Sequence, residues 1–255
     1  GRVTTPTGAA HSDMTELNEP QLNAVLHESG PLLIFAGAGS GKTRTITFRI
    51  AHLLANQRVP PYRILAVTFT NKAAGEMRHR LEELAGPEIA RDLWVGTFHG
   101  ICAKLLRRYP EEAGLDRSFV IYDDADQKAV VARVTKDLRL DERRYPPKYV
   151  LSLIGACKRE GHDPTEVDVG DGFDRDLAAL AREYQLALAR ANAVDFEDLL
   201  LRVMRLVESP DSRAGQELRR KFDHVLVDEF QDTNLVQYRI VRALSADTRN
   251  LCVVG

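Results

Sequence analysis

Cysteine is scarce in this chain. Only Cys102, Cys157 and Cys252 occur among its 255 residues, far apart and never in Cys-x-x-Cys spacing. The seven histidines form no His-Glu-x-x-His pattern, so the common zinc and iron–sulfur arrangements are not suggested. Cys102 and Cys252 sit in apolar periodic segments and read as buried thiols. Long apolar runs are missing too: none approaches bilayer-crossing length, and no membrane partner is expected. The sequence does not open on a positive stretch followed by an apolar one, and a cytoplasmic location is the expectation. Neither sign of charge is in excess. A net charge of -2 excludes no partner, because a nucleic-acid groove needs only a local basic stripe. What is present is an ordinary globular composition, 44% hydrophobic and 28% charged, in a chain long enough for one large or two smaller domains.

The most informative stretch is Ala36-Gly37-Ala38-Gly39-Ser40-Gly41-Lys42-Thr43. It follows the apolar run Leu32 to Phe35 and precedes an amphipathic pattern with Ile46, Ile50, Leu53 and Leu54 on one face, which spells strand, loop and helix. Gly37, Gly39 and Gly41 allow the backbone to turn successive N–H groups inward, and the helix start adds its positive end. A polyphosphate fits such a cradle. Lys42 would reach its β and γ phosphates, and the Thr43 hydroxyl would hold Mg2+. The strict pattern has Gly at the first position, where Ala36 stands. The plainer alternative is a glycine-rich turn before an ordinary helix.

Residues 1–13 have no periodicity and read as a flexible tail. Asn18 suits a helix N-cap and Pro20 its first turn, with Leu22, Val25 and Leu26 as the apolar face. Gln21 on that helix carries an amide that could pair with an adenine edge, or is a surface glutamine. Two βα units follow the first. Arg63 to Thr68 reads as a strand ending in Phe69-Thr70-Asn71-Lys72, with Met77, Leu81 and Leu84 on the next helix. Leu93-Trp94-Val95 reads as another, with Gly96 to Gly100 as a turn before a helix carrying Ile101, Cys102, Leu105 and Leu106. Alternating strands and helices imply a parallel sheet, whose ligands bind beyond the strands' C-terminal ends. Phe69, Asn71, Lys72, Thr97 and His99 gather there. They form a set able to stack on bases and grip phosphates, although an aromatic after a strand is also a common core residue.

From about Arg107 to Val194 the βα rhythm stops, and helical periodicity near 124–138, 148–160 and 174–191 marks a helical insertion. Asp195 then suits an N-cap before Leu199, Val203, Leu206 and Val207. The second chemical signal is Val225-Leu226-Val227-Asp228-Glu229, an apolar strand ending in adjacent carboxylates. Asp228 would join the Mg2+ shell and Glu229 would orient or deprotonate water, on the argument that successive side chains near a strand end point to opposite sides.

These residues together resemble the superfamily 1 DNA helicases of the UvrD, Rep and PcrA type, over nearly all of 17–255. Leu17-Asn18-x-x-Gln21 is similar to the family's adenine-reading motif, and Ala36 to Thr43 to its P-loop, where Ala at the first position is usual. Thr68 to Ala74 and Gly96 to His99 resemble its single-stranded DNA motifs, and Val227-Asp228-Glu229-Phe230-Gln231-Asp232-Thr233-Asn234 its metal and catalytic-base motif. The resemblance implies ATP and Mg2+ as cofactors, with Arg44 stacking on the adenine, Gln21 reading its edge and Gln231 joining the nucleotide set. It implies an α/β fold: a RecA-like P-loop NTPase parallel sheet (14–106 and 195–255, domain 1A) with an inserted all-helical subdomain (107–194, 1B). The implied activity is 3' to 5' translocation on single-stranded DNA and unwinding at duplex junctions, in repair or replication. The family continues past Gly255 with a γ-phosphate-sensing Gln and Arg and a second RecA-like domain carrying an arginine finger. The chain is therefore expected to be an N-terminal fragment, monomeric, able to bind nucleotide and nearly inactive without that domain. The alternatives are the helicase arm of a RecB or AddA-like helicase–nuclease and a catalytically idle nucleic-acid-binding module. No guanine-reading Asn-Lys-x-Asp favours a GTPase.

Overall fold

The computed structural model describes residues 14, 17–35, 41–170 and 172–255; the tail at 1–13 and the loop residues Ala36 to Ser40 lie outside them. In chain order the elements are α1 (Glu19–Leu26), β1 (Leu32–Ile34), α2 (Lys42–Ala55), β2 (Ile64–Thr68), α3 (Asn71–Ala85), α4 (Pro87–Asp92), β3 (Trp94–Thr97) and α5 (Phe98–Arg108). Then come β4 (Val120–Ile121), α6 (Asp124–Asp137), α7 (Pro147–Arg159), α8 (Arg175–Arg190), β5 (Ala193–Val194), α9 (Phe196–Glu208) and α10 (Arg213–Arg219). The chain closes with β6 (His224–Val227), α11 (Leu235–Ser245) and β7 (Leu251–Val254). Two compact units result. One runs through Ile101 and takes in Gly215–Thr233 and Val241–Gly255; the other comprises Cys102–Ala214 and Asn234–Ile240.

The first unit is built on a five-stranded, wholly parallel sheet in the order β1-β7-β6-β2-β3. All five residues of β2 are buried, the continuous apolar run expected of a strand covered on both faces. Ile46, Ile50 and Leu53 of α2 pack with Met77 and Leu81 of α3 on Ile64, Ala66 and Leu226 of the sheet. Each such side chain contributes about 1.5–3 kcal/mol of apolar burial. β6 and β7 lie between β1 and β2, so strands distant in sequence meet the first βα unit at its centre.

One expected turn is absent. β3 runs through Thr97 and α5 begins at once with Phe98, because the Thr97 hydroxyl accepts a hydrogen bond from the Gly100 N–H at 3.1 Å and caps the helix directly. Gly96 lies within the strand; a Cβ there would come 3.3 Å from Ile101 Cδ1, so its use is close packing.

The second unit is helical apart from the two-residue parallel pair of β4 and β5, which joins Val120 to Ala193 and Ile121 to Val194. Val131, Ile154, Leu180, Tyr184 and Leu188 are among the residues of its core. α9 lies within this unit, whereas most of α10, from Gly215 on, belongs to the first. Asp195 caps α9 as expected, in a reciprocal box with Asp198: Asp198 N–H donates to Asp195 Oδ1 at 2.9 Å and Asp195 N–H to Asp198 Oδ2 at 3.1 Å. All three cysteines are buried and free. Among the described residues no helix is long and apolar enough to cross a membrane.

Candidate nucleotide site

The sheet order sets the C-terminal strand ends side by side. Register pairs Val67 with Val227 and Thr68 with Thr97, so Asp228, Phe69 and Thr97 follow or end neighbouring strands. Asp228 is tied into this row by its N–H, which donates to Val67 O at 3.0 Å.

Gly41 starts α2 with φ of 75°, the left-handed conformation that favours glycine. Lys42 and Thr43 are the first two helical residues. The Thr43 hydroxyl lies 3.4 Å from Asp228 Oδ2, a long contact between residues 185 apart in sequence. Asp228 is 4% exposed, and its other oxygen accepts the Glu229 N–H at 2.9 Å. Burial pushes its carboxyl above the usual value, opposed by that N–H; the Glu229 charge adds to the rise, while Thr43 and Lys42 lower it. A hydroxyl and a carboxylate converging at a helix start form the hard-oxygen donor set that suits Mg2+. A buried carboxylate is stabilised by a nearby cation, so this donor set and Mg2+ fit one another. Among the described residues no cluster of three or more His, Cys, Asp and Glu side chains is available to hold a metal by itself.

Glu229 departs from simple strand alternation. β6 ends at Val227, and Glu229 lies at φ 52°, ψ 45°, before a 3-10 turn over Phe230–Asp232. A non-glycine residue held there stores local strain, and its side-chain direction is set by this inverted backbone rather than by the pleat. Its carboxylate accepts a short hydrogen bond from the Gln231 amide. Gln231 Oε1 faces the end of β7, 3.1 Å from where a Cβ on Gly255 would stand, an approach that glycine permits.

Gln21 has a local use that its sequence context did not announce. Its Oε1 accepts the Asn18 N–H and Asn18 Oδ1 accepts the Gln21 N–H, both at 3.0 Å, a capping box at the start of α1. Its Nε2 lies 3.9 Å from the Cβ position of Gly41, beside the nucleotide helix. The Arg44 guanidinium lies 5.7 Å from the Phe48 ring centroid. Of the phosphate cradle, Gly41, Lys42 and Thr43 are placed, whereas Ala36, Gly37, Ala38, Gly39 and Ser40 lie outside the described residues.

Phe69 is half-buried and packs against Phe98, with ring centroids 5.3 Å apart and planes tilted by 55°. It is therefore partly a core residue and partly exposed. Asn71 and Lys72 are exposed in the first turn of α3, behind the Thr70 cap whose hydroxyl accepts the Ala73 N–H at 3.1 Å. Thr97 and His99 are half-buried, at the end of β3 and the start of α5. The capping roles of Gln21, Thr70 and Thr97 were missed from sequence. Their i, i+3 spacing to a helix start was the available signal.

A parallel sheet with Lys-Thr opening one helix and a buried aspartate at the end of β6, one strand away across β7, is the arrangement of a RecA-like domain. Residues 17–255 match the UvrD/REP helicase N-terminal domain, and the chain belongs to that family. It is 42% identical over 247 residues to the ATP-dependent DNA helicase PcrA of Bacillus subtilis, covering 95% of this chain and 33% of that protein. The corresponding protein of Leuconostoc citreum is 44% identical over 242 residues, 94% of this chain and 32% of the relative. That of Staphylococcus aureus is 41% identical over 244 residues, 95% and 33%. The chain thus spans about a third of the length of the curated relatives it matches.

Proposed function

We propose that this chain is the nucleotide-binding part of an ATP-dependent DNA helicase that tracks 3' to 5' on single-stranded DNA and opens duplex junctions in repair or replication. The observation that carries the reading is the approach of Thr43 to Asp228, 185 residues apart, at the start of the Lys42 helix. Bound Mg-ATP supplies a phosphoanhydride whose hydrolysis releases the free energy for movement. Lys42 binds the phosphates, and Thr43 and Asp228 contribute oxygens to the metal shell. Glu229 orients the attacking water and takes its proton, with Gln231 holding the Glu229 carboxylate in place. Gln21 and Arg44 contact the base. Phe69 offers its exposed part to a DNA base, flanked by Asn71, Lys72, Thr97 and His99. The second unit corresponds to the inserted subdomain of the family. The relatives it matches are about three times as long, so unwinding is assigned to a longer protein, and the 255 residues alone bind nucleotide without opening duplex.

The test uses the 255-residue chain with fluorescent ADP and Mg2+, and the full-length protein with single-stranded DNA. Lys42→Ala should weaken ADP binding about tenfold or more, since each tenfold is about 1.4 kcal/mol of lost contact. Phe69→Ala should cost about 1–3 kcal/mol of DNA affinity at low salt, the worth of one stacked base. Unchanged ADP affinity in Lys42→Ala would remove the nucleotide assignment.

A further inference from the structure

We infer that Arg49 is a positioning residue for base recognition: it clamps α1, and with it the Asn18–Gln21 cap, onto the nucleotide helix α2. The inference deepens the reading of Gln21 as the adenine contact and rests on it. Arg49 sits midway along α2 on the stripe of Ile46, Ile50 and Leu53, and is 2% exposed. Its Nη1 donates to Ala24 O at 3.0 Å and to His27 O at 2.6 Å, carbonyls at the C-terminal end of α1. Such carbonyls have no partner within their own helix, and α1 has no basic residue in its last turn to meet them. A cation from a second helix fills that role and faces the negative end of the α1 dipole.

Among the described residues no carboxylate is paired with this guanidinium. Burial pushes its pKa down; the Cys252 thiol opposes that, and the His52 and His224 imidazoles are further ionisable neighbours. A buried cation is costly to strip of partners, so Arg49 and the two carbonyls hold one another in place. α1 needs such an anchor. It is eight residues long, too short to persist alone, and buries only Ala24 and Val25. At its other end the Gln21 Oε1 accepts from the cap, and its Nε2 lies 3.9 Å from the Cβ position of Gly41 at the start of α2. Releasing the C-terminal end of α1 therefore moves the base-reading end while Lys42 and Thr43, on Arg49's own helix, stay in place.

The experiment measures the affinities of the 255-residue chain for ribose-labelled ADP and GDP with Mg2+, and hydrogen exchange of the α1 amides. Arg49→Met should lower ADP affinity about tenfold, the scale of losing hydrogen bonds to a charged group, and change GDP affinity by less than about twofold. Arg49→Lys, whose ammonium ends one bond short of the Nη1 position, should fall between, and it carries the test if Arg49→Met does not fold. In both variants the amides of Leu22 to Leu26 should exchange faster while those of β2 keep their protection. Equal losses for ADP and GDP, or no loss, overturn the inference. Gln21→Ala separates the two readings: if it leaves the ADP-to-GDP ratio at the wild-type value, base reading by Gln21 fails. If it levels the ratio while both Arg49 variants preserve it, only the role of Arg49 fails.

Discussion

Both units bury aspartate, and they treat it oppositely. In the helical unit Asp195 and Asp198 are 3% and 2% exposed, and Lys158 lies between them, 2.6 Å from Asp195 and 2.8 Å from Asp198. Tyr184 OH donates to Asp195 at 2.9 Å and the Gln185 amide to Asp198 at 3.2 Å. Burial disfavours the Lys158 charge, but the two carboxylates outweigh it and its pKa stays above the ordinary value. In the sheet unit Asp228 is equally hidden, yet among the described residues it has one backbone N–H and a hydroxyl at 3.4 Å. This ion-paired cluster welds α7, α8 and α9 together. An under-paired buried anion is unfavourable by itself and becomes favourable when a cation arrives, which is what a binding site requires.

The strongest way to break this contrast is at the sheet site. In the full-length protein, Glu229→Gln should lower single-turnover hydrolysis by about 10²–10⁴ while leaving Mg-nucleotide affinity intact, the range for losing a general base. Asp228→Asn should instead abolish the Mg2+ dependence of nucleotide binding. If the two phenotypes are exchanged, the assignments are reversed. Next in size is Lys158→Met, which leaves two buried carboxylates unpaired and should cost about 3–5 kcal/mol by urea unfolding. A loss no greater than that of a surface substitution would mean that the cluster is not closed. The smallest effect is in pH. Because burial raises the Asp228 pKa above 3.8, its stabilising contribution is complete below that pH and is lost as pH rises through the raised value. Asp228→Asn has no charge to desolvate, so its stability relative to wild type should increase across that window. Urea midpoints between pH 3 and pH 8 check the sign, and a decline would overturn it.

Helix starts were legible because they are local chemistry. Asn18, Asp195 and the Lys42–Thr43 opening could be placed from neighbours three or four residues away, and the alternation of apolar strands with amphipathic helices implied a parallel sheet. Asn234 caps α11 by the same Asn-x-x-Gln device as Asn18, with Gln237 as its partner, although only the first was read as a cap. The turn expected before α5 was misjudged because glycine at Gly96 signals either flexibility or close packing, and only the neighbouring Ile101 side chain decides between them.

By itself the sequence determined the element types, the caps and the residues that resemble a helicase motor, since periodicity and short motifs act over a few residues. Only the tertiary structure decided that β7 and β6 separate β1 from β2, and hence that Asp228 faces Thr43. It alone decided that Lys158 closes on Asp195 and Asp198, and that Arg49, one charge in an apolar stripe, ends on the carbonyls of α1. Those pairings depend on which distant surfaces exclude water together, a property that no local stretch carries.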